Sequence, residues 1–300
     1  MTIYNQISSN KARTWLIFIL FVFILTGFFF LIGKLFDSSS AYLVFGLIFS
    51  IGSTAVSYFY SDKIILFTAG AKPATKKDFF DFYTVTENLA IADGLSKPKL
   101  YVINDPSPNA FATGRNPKHA VICATTGLLD KLDRAELEGV IAHELSHVKN
   151  YDILLSSIVA VLVGTVALAS NWLMRSLWWG GIGRRDSEDR EGINPIMMIL
   201  GIVALIITPI VATLIQLAIS RKREFLADAS GALLTRYPNG LARALEKISS
   251  DPEPLRTATA STAHLFITNP LKQKKASSWI ISLFSTHPSV EERIKILRSM

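Results

Sequence analysis

The sequence predicts an α-helical membrane protein that carries an α+β domain at the membrane surface. Half of its 300 residues are hydrophobic. The mean hydropathy is positive, which is unusual for a water-soluble chain. The apolar residues gather into four uncharged blocks, each close to the ~20 residues that a helix needs to cross a hydrocarbon core. The polar stretches that remain, 61–152 and 220–300, have the mixed helix and strand patterning of a folded domain.

Trp15 to Gly33 opens the series with 19 residues free of charge. It is too long for the apolar region of a removable signal, and it runs into Lys34 rather than a small-residue cleavage site, so it is expected to stay as an anchor. Ala41 to Tyr60 follows after seven residues, which predicts an antiparallel hairpin with Tyr58, Phe59 and Tyr60 at the interface. Ile153 to Met174 and Ile196 to Ile219 form a second pair, with Pro209 as a kink in the last. The chain thus divides into a transmembrane hairpin (1–60), a first part of the surface domain (61–152), a second hairpin (153–219) and a second part of the domain (220–300).

Four crossings put both termini and the surface domain on one side of the membrane. Lys11, Arg13, Lys63, Lys72, Lys76, Lys77, Arg221, Lys222 and Arg223 flank the blocks, which makes that side the cytoplasmic face of the cell membrane. The connection from Met174 to Asn194 runs against this rule with four arginines, balanced by four acids. A pair of shallow helices that do not cross is the alternative for the second hairpin. The formal charge of +7 is therefore read as topology. No basic tract interleaved with aromatics argues for nucleic acid. The single Cys123 excludes an internal disulfide and reads as a small buried hydrophobe.

Within the domain, Lys76 to Asp93 has a helical pattern, with Phe79, Phe82, Tyr83, Leu89 and Ala90 on one apolar face. Lys99 to Asn104, Asn109 to Gly114 and Ala120 to Thr125 read as short strands, the first closed by Asp105-Pro106-Ser107-Pro108. Asp133 is then an N-cap, and Glu136 completes a capping box for a helix through about Tyr151.

That helix contains His143-Glu144-Leu145-Ser146-His147, an H-E-x-x-H pattern. Residues four apart share a helix face, so both imidazoles reach one ion while Glu144, one position round, borders the open coordination place. A catalytic zinc takes a third protein ligand. Glu224, in Arg221-Lys222-Arg223-Glu224-Phe225-Leu226-Ala227-Asp228, follows the fourth block by five residues, much as the histidines precede the third. Spacing alone does not single it out among nearby acids. Asp228, one turn further on, is placed to accept a hydrogen bond from a ligand imidazole.

These features resemble the HtpX-type membrane zinc metalloproteases, gluzincins related to the CAAX prenyl proteases. The likeness covers nearly the whole chain: the four-block layout, Asn109-Ala110-Phe111-Ala112-Thr113-Gly114, the H-E-x-x-H helix, Ser220 to Asp228, and His287-Pro288 followed by Arg293-Ile294. The resemblance implies a zincin-like α+β domain with one zinc ion per chain, ligated by His143, His147 and Glu224, and Glu144 as the catalytic carboxylate. It further implies a substrate-binding strand edge at Asn109, Ala110, Phe111 and Ala112, and a role in quality control of misfolded membrane proteins. Phe225 departs from the Tyr of some relatives.

The chemistry expected is peptide hydrolysis, with Glu144 taking the proton of an attacking water and returning it to the leaving amine. His287 and Arg221 are the candidates to stabilise the oxyanion, although His287 also reads as a loop histidine before the last helix. His119 and His264 are read as structural, since no partner at metal spacing accompanies either. A prenyl-protein protease and a metal-stabilised scaffold are the competing readings. A scaffold would need a fourth protein ligand. A transporter is disfavoured because the four blocks hold no ionisable group.

Overall fold

The structure is a computed structural model that describes residues 3–35, 38–179, 220–259, 261–270 and 288–300. Two long helices, α1 (Ile3–Leu35) and α2 (Ser39–Thr68), form the antiparallel hairpin expected from the first two blocks. Phe29 packs edge-on against Phe45, ring centroids 5.1 Å apart, and the Thr26 and Ser50 hydroxyls lie 3.2 Å from each other. Both helices are long and apolar enough to cross a bilayer. Their outward faces carry Trp15, Ile19, Phe23, Val44 and Ile48, all largely exposed, a surface suited to lipid rather than water.

The sequence predicts four crossings, and the described residues contain two such helices. A third span arises if α5 (Arg134–Lys149) is joined to the Asp152–Leu168 part of α6 (Asp152–Trp179) across a bend of 84°. The third block is in part a core element. Its first half, Ile153 to Val163, is buried inside the protein, largely against Ile17, Phe18 and Phe21 of α1 and against Ile65 and Leu66 of α2. Its apolar character therefore serves a core as well as any bilayer. The fourth block, Ile196 to Ile219, lies outside the described residues.

From α2 the chain enters a four-stranded sheet of β1 (Lys72–Pro73), β2 (Lys99–Ile103), β3 (Ala110–Thr113) and β4 (Val121–Thr125), in the order β1-β2-β4-β3. β2 and β4 run parallel, and β3 is antiparallel to β4 with Phe111 opposite Cys123. This leaves β3 at the edge. Helix α3 (Phe80–Ala92) starts four residues later than its apolar pattern suggests, because Thr75 and Asp78 form a local turn through two side-chain hydrogen bonds. After the short α4 (Thr126–Lys131), Asp133 caps α5 as expected. Asp133 Oδ1 accepts from the Glu136 N–H at 2.9 Å, and Glu136 Oε2 accepts from the Asp133 N–H at 2.9 Å. A cap of this kind stabilises a helix by about 1 kcal/mol.

Helix α5 is enclosed from Gly139 to Ser146. Leu137, Val140, Ile141, Leu145 and Val148 are buried within the main core, with the sheet, α3, α7 (Arg221–Thr235) and α8 (Pro238–Ser250) around them. Burial of each such side chain is worth about 1.5–3 kcal/mol. Gly139 allows α8 to close in, since a Cβ there would stand 2.6 Å from the Leu241 backbone nitrogen. The last helix, α9 (Val290–Arg298), packs against α7 and α8.

Candidate metal centre

A polar group on a buried stretch of helix must find partners within the protein. His143, Glu144 and His147 all lie on α5, and the first two are at most 2 % exposed. Helix α7 lies alongside and presents Glu224 and Asp228. Gly231 makes the approach possible, because a Cβ at that position would lie 3.0 Å from the His143 backbone nitrogen. The imidazoles point at each other through Nε2, 3.2 Å apart. Glu224 closes the triangle with Oε2 at 3.8 Å from His143 Nε2 and Oε1 at 3.6 Å from His147 Nε2.

A tetrahedral zinc with ligands at about 2.0–2.1 Å sets its donors about 3.3–3.4 Å apart. The observed separations bracket that value, so two imidazole nitrogens and one carboxylate fit a single zinc without rearrangement of the helices. Among the described residues this is the one cluster of at least three His, Cys, Asp or Glu side chains close enough to share an ion.

The far ring nitrogens are held by acids. His143 Nδ1 stands 2.9 Å from Asp228 Oδ1, and His147 Nδ1 stands 3.0 Å from Asp152 Oδ2. A carboxylate accepts only, so each Nδ1 carries a hydrogen, and each Nε2 is the atom that would ligate an ion once it is deprotonated. Asp152 reaches His147 because the chain turns sharply between α5 and α6, with Tyr151 in the left-handed region at φ 60°. Asp228 is gripped in turn by Arg293 of α9. Arg293 is 1 % exposed and donates from Nε to Oδ2 at 2.8 Å and from Nη2 to Oδ1 at 2.7 Å. Its Nη1 donates to the Ile267 carbonyl at 2.9 Å and lies 3.7 Å from Glu224.

These surroundings shift the protonation of the site. Burial pushes the Glu144 carboxyl up to about 7, the Glu224 charge adding to the rise while His147 and Arg293 oppose it. Burial also lowers His143, against the pull of Asp228. For His147 burial acts in the same downward sense, but the Asp152 hydrogen bond and the charges of Glu224, Asp152 and Glu144 overcome it and raise the group to about 9. Asp228 would rise through burial alone, and Arg293 and His143 hold it below the usual carboxylate range.

The site opens into a narrow cleft of ≈ 40 Å³, room for about two or three waters. Ala112 lines it, and the Ala112 backbone hydrogen-bonds Glu144. Asn109, Ala110 and Phe111 do not reach the cleft. Asn109 donates to the Thr268 carbonyl, the Ala110 carbonyl accepts from the Ile267 N–H, and Phe111 packs on Phe266. Part of the β3 edge is thus taken by the chain's own 266–268 segment. Arg221 is exposed and does not line the cleft, whereas Arg223 does. His287 lies outside the described residues. His119 is exposed beside Asn116, but His264, read as structural, lines the cleft and bonds the Ser156 carbonyl.

Sequence reasoning assigned no role to Asp152, which holds His147, or to Arg293, which holds Asp228. For Arg293 a signal exists. Val290, Arg293, Ile294 and Leu297 form the apolar stripe of α9, and an arginine on such a stripe needs a buried acid.

Residues 77–300 match the family described as Peptidase family M48. A Protease HtpX homolog of Caldanaerobacter subterraneus subsp. tengcongensis is 46% identical over 303 residues, covering 100% of this chain and 98% of the relative. A second Protease HtpX homolog, from Thermoanaerobacter pseudethanolicus, is 44% identical over 304 residues with the same coverage. Among solved structures, the crystal structure of S. mikatae Ste24p superposes with a TM-score of 0.50 at 18% identity. That match covers 91% of this chain and 62% of the longer one, a likeness of fold.

Proposed function

The chain belongs to peptidase family M48, and on that premise we propose a membrane-embedded zinc endopeptidase with one zinc held by His143, His147 and Glu224 and with Glu144 as general base. The observation that carries this reading is the pair of Nε2 atoms 3.2 Å apart with the two Glu224 carboxylate oxygens 3.6 and 3.8 Å from them, beside a buried carboxyl. Zinc bound there supplies a Lewis acid that polarises the scissile carbonyl and acidifies water. Glu144, raised to about 7, is matched to taking a proton near neutral pH and passing it to the leaving amine. Asp228 and Asp152 keep the imidazoles in one tautomer, and Ile153, Leu265 and Ile267 give the cleft an apolar wall that limits water.

Ala112 offers a strand-edge backbone to an extended peptide, a mode of recognition that tolerates many sequences. Together with a site at the end of the α1–α2 hairpin, this supports polypeptide substrates such as misfolded membrane proteins, and hence a quality-control role. The basic residues that flank the apolar blocks support a multi-pass protein with its protease domain on the cytoplasmic side of the cell membrane. His287 is retained as an oxyanion donor to be tested by substitution; the exposed position of Arg221 argues against it, and Arg223 of the cleft wall takes its place. The test is to add zinc to the metal-free protein with an unfolded membrane protein. Zinc-dependent fragments are expected from the native chain, at a rate about 10²–10⁴-fold above that of Glu144→Gln. Equal cleavage by both would refute the assignment.

A further inference from the structure

The metal centre is not completed by the M48-matched segment alone. Asn10, near the start of α1 and 2 % exposed, reaches into it from the membrane hairpin. Its Nδ2 donates to Asp152 Oδ1 at 2.7 Å and to the Asn150 carbonyl at 2.9 Å, and its Oδ1 accepts from Arg223 Nη1 at 2.9 Å. Both hydrogens and the acceptor of the carboxamide are thereby used. The chemistry of the partners fixes its orientation, since two acceptors face the amide nitrogen and a guanidinium faces the oxygen. The next residue, Lys11, places its ammonium 4.4 Å from the centroid of the Tyr151 ring. Helix α1 therefore holds the whole turn from Asn150 to Asp152, the turn whose left-handed Tyr151 delivers Asp152 to His147.

We propose that Asn10 is a positioning residue of the metal centre: through Asp152, the first membrane helix fixes the His147 imidazole and completes the zinc site. Asp152 has two oxygens, and Asn10 determines how they are shared. With Oδ1 tied to Asn10 and to Arg223 at 3.5 Å, Oδ2 is left for His147 Nδ1. Without the carboxamide, Asp152 is free to rotate towards Arg223, and His147 loses the partner that sets its tautomer and ring angle. Arg223 is itself tied to Asn10, so α1, α6 and α7 meet at this one side chain. The hydrogen bond from Asn10 to Asp152, rather than the general packing of α1, is thus what ties this helix to the metal centre.

The inference rests on zinc binding at His143, His147 and Glu224, and the test separates the two. Zinc affinity is measured by competition with a chromogenic chelator, on the full chain in detergent, for the native protein, Asn10→Ala, Asn10→Leu, Asp152→Ala, both double variants and Ile17→Ala. Leucine matches asparagine in size and adds to the apolarity of α1, so insertion survives. Asn10→Ala and Asn10→Leu are expected to weaken zinc about tenfold, the lower end of what loss of an outer partner costs a site. On the Asp152→Ala background neither should weaken it further, because the path runs through Asp152. Ile17→Ala, which loosens the same α1–α6 packing, should leave affinity unchanged. Native-like affinity in both Asn10 variants, a full extra loss on the Asp152→Ala background, or an equal loss in Ile17→Ala would each overturn the proposal. A native chain that binds no zinc would overturn the metal site itself.

Discussion

Replacing Arg293 with methionine removes a cation that donates two hydrogen bonds to Asp228, at 2.7 and 2.8 Å. Both partners are 1 % exposed, so solvent does not screen the pair. Breaking a buried ion pair from one side costs about 3–5 kcal/mol, because the remaining charge is stranded. For a domain of this size that corresponds to a fall of about 6–20 °C in the apparent unfolding temperature. Scanning fluorimetry of the metal-free protein in detergent measures it. Zinc should narrow the gap, since a cation at Glu224 and His143 relieves the same acids that Arg293 neutralises. Asp228→Asn placed on Arg293→Met should restore about half the loss, because no charge is then left unpaired. A shift below about 1 kcal/mol for Arg293→Met, or a double variant worse than the single, would refute the reasoning.

Gly231→Ala puts a Cβ 3.0 Å from the His143 backbone nitrogen, so α7 must move away from α5; a loss of about 1–3 kcal/mol and weaker zinc retention against a chelator are expected. Glu144→Gln should lower turnover about 10²–10⁴-fold while zinc content by elemental analysis stays unchanged. His147 is raised to about 9 in the metal-free protein, so below that pH a proton must leave before zinc binds. Affinity should therefore climb about tenfold per pH unit between 7 and 9 and level off above, as followed by chelator competition. The sign for stability is opposite: what the protonated His147 contributes is fully present below its unfolded value of about 6.5 and is lost as pH rises through 9, which thermal scans of the metal-free chain would show.

What the sequence made legible is what depends on short spacing. The capping box at Asp133 and Glu136, the shared face of His143 and His147, and the turn from Glu224 to Asp228 are all set by helix periodicity, and each is found as expected. The hairpin of α1 and α2 followed from length and hydropathy alone. What stayed hidden depends on contacts distant in the chain. Arg293 meets Asp228 across 65 residues, and Asn10 meets Asp152 across 142. Hydropathy also could not separate a lipid-facing block from a buried one, which is why the apolar first half of α6 reads as a span although it packs against α1 and α2. The helix expected to run through about Tyr151 ends at Lys149, where the left-handed turn begins.

X-ray absorption at the zinc edge of the purified, zinc-loaded chain tests the central claim most directly. The account predicts one zinc per chain with two imidazole nitrogens and oxygen donors at about 2.0–2.2 Å, and loss of the bound metal in Glu224→Ala. A sulfur ligand, a third imidazole, or full zinc occupancy without Glu224 would contradict it.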